Sequence, residues 1–163
     1  MTTTMEQSVD KGLKLELTRV IKASRQRVFD AWTRPEYVRQ WFGPKEKTIS
    51  NAEADPRVDG SYKLEMRGVE GAGVVNGIDV GRTSVVSGRY VTVVPHELLV
   101  FTWRGDWNPD EEETLVTVAL RDVEGGTEVK LTHERFLTET SRAQHEHGWT
   151  GSLDKLERFA EAN

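Results

Sequence analysis

Apolar and polar positions alternate near the start of the chain. Leu13, Leu15 and Leu17 are separated by Lys14 and Glu16. Because successive side chains of a strand point to opposite faces, this period of two predicts a half-buried β-strand over Leu13–Ile21.

The pattern then changes to a helical one. Val28, Phe29 and Trp32 recur at i, i+1 and i+4 and give one apolar face, and Ser24 before them is a good N-cap. Pro35 ends this helix and pre-sets the first turn of another. The second helix presents four large apolar side chains before a Gly-Pro pair that stops it: Tyr37, Val38, Trp41 and Phe42.

Alternation returns after this pair of helices. It predicts six strands, over residues 47–54, 61–67, 83–94, 98–104, 114–122 and 127–136. Turn-forming residues separate most of them, and residues 68–81, which are rich in glycine and have little periodicity, are interpreted as a mobile hairpin loop without an element of its own. Because each strand follows the previous one through a hairpin, the sheet is expected to be antiparallel.

The last segment, residues 139–163, predicts one long amphipathic helix, since Trp149, Leu153, Leu156 and Ala160 follow i, i+4, i+7 and i+11. A curved antiparallel sheet of six to seven strands wrapped on this helix, with two short helices after the first strand, is an α+β architecture. We expect a single domain over residues 12–163 and a disordered tail over residues 1–11.

Composition narrows the classes of function. The chain has 163 residues, a net charge of −5 and no cysteine. No basic block is present to bind a nucleic acid or an anionic membrane, and no run approaches the roughly 18 apolar residues of a membrane span. We therefore expect a cytoplasmic protein with neither nucleic acid nor membrane as a partner. The sequence leaves both a monomer and a homodimer open.

Motifs for common chemistries are also missing. Residues 71–77 approach a dinucleotide fingerprint, but they have one residue too many and no helix after them. The chain has no Gly-x-Ser-x-Gly elbow and no phosphate-binding Gly-x-x-x-x-Gly-Lys-Ser/Thr loop. No cofactor is expected. A metal site is not expected either, because His145 and His147 lie two positions apart on a helix and point in different directions.

A family resemblance rests on short segments spread over nearly the whole chain. They are Val-Phe-Asp-Ala-Trp at 28–32, Pro-Glu at 35–36, Trp-Phe-Gly-Pro at 41–44, Asp-Pro-Arg at 55–57, Val-Pro-His-Glu at 94–97 leading to Phe-Thr-Trp at 101–103, Thr-His-Glu at 132–134 and Gly-Trp-Thr-Gly-Ser-Leu-Asp-Lys-Leu at 148–156. In these segments the chain resembles the START-like (SRPBCC) helix-grip superfamily, and more narrowly the bacterial homologues of the activator of Hsp90 ATPase. The resemblance implies a cavity between the terminal helix and the sheet.

The candidate ligand-binding residues are large side chains expected to point inward from the helices and strands. They are Trp41, Phe42, Tyr62, Leu64, Met66, Phe101, Trp103, His133, Trp149 and Leu153. A mostly apolar set with few polar groups is typical of a ligand cavity, although the same residues could simply fill the core.

Three functions are compatible with the residues and the resemblance. The first is non-catalytic binding of a small hydrophobic or aromatic molecule. The second is a polyketide cyclase or hydrolase in which His133 orients or deprotonates a substrate, since an imidazole can act as a base near pH 7. The third, implied by the resemblance alone, is activation of an Hsp90-type chaperone. We expect the first, and with it a protein that is not an enzyme.

Overall fold

The computed structural model describes residues 13–69, 71, 73–75, 78–79, 81–107 and 113–162. The expected tail at residues 1–11 lies outside the described residues. The elements, in chain order, are β1 (Leu13–Ile21), α1 (Arg25–Thr33), α2 (Pro35–Trp41), β2 (Lys47–Ala54), β3 (Ser61–Gly68), β4 (Val74–Val75), β5 (Ile78–Asp79), β6 (Ser84–Val94), β7 (Leu98–Gly105), β8 (Thr114–Val123), β9 (Gly126–Phe136) and α3 (Glu139–Ala162).

Seven of the strands form one open antiparallel sheet in the order β1-β9-β8-β7-β6-β3-β2. The long helix α3 packs across it, and α1 and α2 follow β1. This arrangement confirms the predicted α+β helix-grip fold. The interpretation of residues 68–81 as a loop without an element was wrong, because β4 and β5 pair with each other as a separate two-stranded ribbon. The signal was the Asn-Gly pair between Val75 and Ile78, which favours a two-residue hairpin.

The predicted caps hold the helical pair in place. Ser24 Oγ accepts a hydrogen bond from the Arg27 amide at 3.1 Å, and Pro35 occupies the first turn of α2. The indole N–H of Trp41 donates to the Ala31 carbonyl at 2.8 Å and ties α2 to α1. Gly43, at φ 104°, turns the chain out of α2 in a conformation that other residues rarely adopt.

Polar contacts at several points along α3 hold this helix over the sheet. At its end, Arg27 Nε donates to the Ala160 carbonyl at 2.6 Å. Near its middle, Lys155 Nζ donates to the carbonyls of Pro44 (3.1 Å) and Lys47 (2.9 Å). A Cβ added at Gly151 would lie 2.8 Å from the Lys45 amide nitrogen, so only glycine permits this approach between α3 and the segment after α2.

Candidate functional site

A cavity of about 70 Å³ lies between α3 and the sheet. Its walls come from the segment after α2, from strands β2, β3, β6 and β7, from the turn after β7 and from α3. The lining residues are Phe42, Gly43, Pro44, Lys47, Met66, Ser84, Trp103, Trp107, Gln144, His145, His147, Gly148, Trp149 and Ser152. We call this space the main cavity.

Aromatic rings in mutual contact build most of the apolar wall. Trp103 and Trp149 lie 5.1 Å apart between ring centroids, and Phe42 packs edge-on against Trp149 at 5.6 Å. Trp107 approaches Trp103 edge-on at 6.4 Å. Such contacts restrict the orientation of each ring and give the wall its shape in the absence of a ligand.

A second, smaller cavity of about 20 Å³ lies further along the sheet. Its lining residues are Trp32, Val38, Phe42, Ala54, Tyr62, Leu64, Tyr90, Leu99, Phe101 and Trp103. Burial raises the pKa of Tyr62, so its hydroxyl stays protonated and donates to the Thr102 carbonyl. Phe42 and Trp103 border both cavities, and their rings, 6.1 Å apart, form the partition between them.

The ten residues expected to bind a ligand divide among three places. Phe42, Met66, Trp103 and Trp149 line the main cavity. Phe42, Tyr62, Leu64, Phe101 and Trp103 line the smaller one. Trp41, His133 and Leu153 are fully buried in the packed core and line neither of the two cavities.

His133 has zero exposed surface, and both of its ring nitrogens are hydrogen-bonded. The indole N–H of Trp149 donates to His133 Nδ1 at 3.0 Å. Because Nδ1 therefore accepts, the ring proton belongs on Nε2, which lies 2.7 Å from Thr114 Oγ1. Thr114 Oγ1 in turn donates to the Trp103 carbonyl at 3.2 Å. His133 is thus the middle member of a chain of hydrogen bonds beneath the cavity floor.

Burial lowers the pKa of His133 well below the usual value for histidine, and the nearby His145 lowers it further. The two imidazole rings lie 5.0 Å apart between centroids. His145 Nδ1 donates to the Ser141 carbonyl at 2.8 Å, while Nε2 accepts from the Trp103 indole at 3.2 Å. His133 and His145 therefore hold their protons on opposite nitrogens, and each accepts from one tryptophan of the cavity wall.

The main cavity also contains polar groups that the sequence pattern did not indicate. Lys47 is only 4% exposed, and its Nζ donates to the Arg82 carbonyl at 2.6 Å and to Ser84 Oγ at 2.7 Å. At the rim, His147 Nε2 lies 3.0 Å from a carboxylate oxygen of Glu46. His145 faces Trp103 and His147 faces Glu46, so the two helix histidines point in different directions, as their spacing predicted.

The two glycines of α3, Gly148 and Gly151, have different surroundings. Gly151 is the site of close packing. A Cβ added at Gly148 meets nothing within 4 Å, and Gly148 lines the main cavity.

Over the described ranges, no helix combines the length and apolar character needed to cross a membrane.

The fold and the cavity together define a helix-grip protein of the START-like class. The chain belongs to the family described as activator of Hsp90 ATPase homolog 1-like protein, whose model matches residues 22–161. This confirms the resemblance inferred from the sequence segments.

Solved bacterial structures share the fold across the chain. A protein from Chromobacterium violaceum is 25% identical with a TM-score of 0.79, and the match covers 92% of this chain and 98% of that one. A putative uncharacterized protein from Rhizobium leguminosarum is 26% identical with a TM-score of 0.72, covering 93% and 95%. A protein of the same family from Silicibacter pomeroyi is 24% identical with a TM-score of 0.74, covering 89% and 95%. Comparison with curated proteins gave no significant match.

Proposed function

We propose that this protein binds a small apolar or aromatic molecule in the main cavity, without covalent chemistry of its own. The observation that carries the proposal is the convergence of Phe42, Met66, Trp103, Trp107 and Trp149 on one cavity that is partly open to solvent. Ligand sites are typically concave and mostly apolar, with a few polar groups that fix orientation. The main cavity has this composition.

The volume limits the size of the ligand. An apolar cavity of about 150 Å³ is known to admit benzene, and the main cavity is about half as large. A ligand of one or two aromatic rings therefore requires some movement of the wall or a position partly in the mouth. Trp107, in the turn after β7, lines this space and is only half-buried.

Filling the cavity from α3 tests the proposal. Gly148→Leu places a branched side chain in the open space next to Gly148, and we expect it to weaken binding of 2-naphthamide at least about tenfold. Quenching of tryptophan fluorescence measures the affinity, because Trp103, Trp107 and Trp149 line the site.

Gly148→Ala is the matched control. It removes the same glycine but adds a single methyl group, so affinity should stay within about threefold of the original, while helix stability rises by up to about 1 kcal/mol. Equal affinity of the Gly148→Leu variant and the original protein for 2-naphthamide would place the probe elsewhere and contradict the proposal.

A catalytic alternative would use His133 as a general base. A base must reach its substrate through a free lone pair, whereas the Nδ1 lone pair of His133 accepts from Trp149 and its ring is fully buried. The lowered pKa keeps the ring neutral but does not expose it. These contacts count against the cyclase or hydrolase role. For any substrate that the protein converts, an unchanged rate of turnover in a His133→Ala variant would exclude His133 as the catalytic base.

A chaperone-binding role is the remaining alternative, and it is supported by the family alone. An ATPase assay with the Hsp90-type chaperone of the same cell distinguishes it. Stimulation of ATP hydrolysis that persists in Gly148→Leu would favour the chaperone role over ligand binding.

A further inference from the structure

The end of β7 places a glycine between two tryptophans of the main cavity, in the order Trp103-Arg-Gly105-Asp-Trp107. Resting on the function proposed above, we propose that Gly105 determines which ligands fit. It lets the Trp107 indole lie against the sheet and thereby sets the width that the cavity offers. The consequence is a selection between molecules with one aromatic ring and molecules with two fused rings.

Gly105 lies on the same face of β7 as Trp103. It is the last residue of the strand and pairs with Val86 of β6, and residues two apart in a strand share a face. Trp103 is buried on the inner face, where its ring packs against Trp149 of α3. A side chain at position 105 would therefore point into the space between the sheet and α3.

The Trp107 indole occupies the place of that side chain. A Cβ added at Gly105 would lie 2.6 Å from Cζ2 and Cη2 of Trp107 and 2.7 Å from its Cε2. Carbon atoms in favourable contact are about 3.5–4.0 Å apart, so an alanine at position 105 and the observed indole position exclude each other. Only glycine permits this close approach of the ring to the strand.

The neighbours of Trp107 determine where a displaced ring would go. The Asp106 amide donates to the Val85 carbonyl at 3.0 Å and ties the backbone before Trp107 to the sheet. The indole also lies 5.9 Å from the His145 ring of α3, measured between centroids, so it is held between the two layers. A Cβ at Gly105 would push it away from the sheet towards α3, and so into the main cavity.

Trp107 is also the tryptophan of the wall that can yield. Trp103 and Trp149 are buried, and their indole N–H groups donate to His145 and His133. Trp107 is only half-buried. A methyl group at position 105 is therefore expected to shift the Trp107 ring and to leave the fold and the rest of the wall in place.

Benzamide and 2-naphthamide test this inference, because they carry the same neutral group on one ring and on two. Gly105→Ala should weaken the binding of 2-naphthamide at least about tenfold and that of benzamide by no more than about threefold, since a narrower cavity obstructs the wider molecule more. Quenching of tryptophan fluorescence measures both affinities.

Two further variants separate the effect of the indole from that of the glycine. Gly148→Ala makes the same substitution on α3, where the added Cβ meets nothing within 4 Å, and should retain the ratio of the two affinities. In a Trp107→Ala background, Gly105→Ala should change neither affinity by more than about twofold, because the ring that the methyl group displaces is absent. An equal loss with and without the Trp107 ring would overturn the proposal.

A measurement without ligand decides the question if Trp107→Ala binds neither probe. Nuclear magnetic resonance of Gly105→Ala should show a shifted indole N–H signal for Trp107, while the signal of Trp41, which donates to the Ala31 carbonyl, stays in place. An unshifted Trp107 signal would show that the ring does not rest on Gly105.

The outcomes separate the two proposals. If 2-naphthamide binds and Gly148→Leu blocks it, but Gly105→Ala leaves the ratio of the two affinities unchanged, the cavity stands and the role of Gly105 is wrong. If neither probe responds to Gly148→Leu, the binding function itself fails. A loss that falls mainly on 2-naphthamide and requires the Trp107 ring supports Gly105 as the residue that sets the width of the cavity.

Discussion

Phe42→Ala is expected to join the two cavities and to produce the largest loss of stability of the variants considered. The ring of Phe42 is buried and packs against Trp41, Trp103 and Trp149 at centroid distances of 5.2, 6.1 and 5.6 Å. Truncating a buried phenylalanine to alanine costs about 3–5 kcal/mol of unfolding free energy, because it removes buried surface and leaves a void. Urea denaturation measures this loss.

The same variant should bind the apolar probe more tightly. Since Phe42 borders both spaces, its removal opens the main cavity toward Tyr62 and Phe101. The affinity for 2-naphthamide is expected to increase about tenfold, which corresponds to about 1.4 kcal/mol. The control is Phe159→Ala, which removes an aromatic ring of α3 that lines neither cavity. A loss of stability below about 1 kcal/mol, or an unchanged affinity, would contradict the partition assigned to Phe42.

The second large effect is a fall in stability between pH 6.5 and pH 5. The pKa of His133 is lowered in the folded protein, mainly by burial, so below pH 6.5 the unfolded chain binds a proton that the folded protein does not. The contribution of neutral His133 is complete above about pH 6.5 and is lost as the pH falls, by about 1.4 kcal/mol for each pH unit until the folded-state pKa is reached.

His133→Gln tests this assignment, because an amide can accept from Trp149 and donate to Thr114 without titrating. The slope of unfolding free energy between pH 6.5 and pH 5 should become smaller by about one proton equivalent. Carboxylates such as Glu128 and Glu139, whose pKa values are lowered by their arginine partners in the folded protein, also lose a stabilising contribution as the pH falls, but they do so mainly around and below the unfolded-state pKa of about 4.3. Equal slopes in the original protein and in His133→Gln would show that another group controls the pH dependence.

Most of the fold could be predicted from local patterns. Alternation with a period of two located β1 and β2 at their observed bounds, and helical spacing located α3 to within one residue of its end. The ribbon of β4 and β5 was missed because two residues are too few for a periodic signal. Only the Asn-Gly pair between those strands indicated it.

The residues of the candidate site were harder to predict from the same local patterns. Helical spacing and strand alternation selected Phe42, Trp103 and Trp149, which border the main cavity, since large apolar side chains on a buried face are the ones that can border a cavity. The same rule could not separate them from Trp41 and Leu153, because periodicity gives the face of an element but not the shape of the space in front of it.

Lys47 was missed for a different reason. Lysine is usually exposed, and its burial here depends on Arg82 and Ser84, which are 35 and 37 residues away in sequence. These partners follow the segment interpreted as a loop, so no local pattern brought them together. Gly148 and Gly151 show the same limit, since only the position of Pro44 and Lys45 decides which of the two glycines is closely packed.

The most direct test of the binding site uses the five tryptophan indoles as separate reporters. In a titration of the isotopically labelled protein with 2-naphthamide, nuclear magnetic resonance follows each indole N–H. Binding in the main cavity predicts shifts at Trp103, Trp107 and Trp149 that are absent in Gly148→Leu, while Trp41, whose indole donates to Ala31, stays unchanged. Shifts confined to surface amides, or indole shifts that persist in Gly148→Leu, would contradict the account.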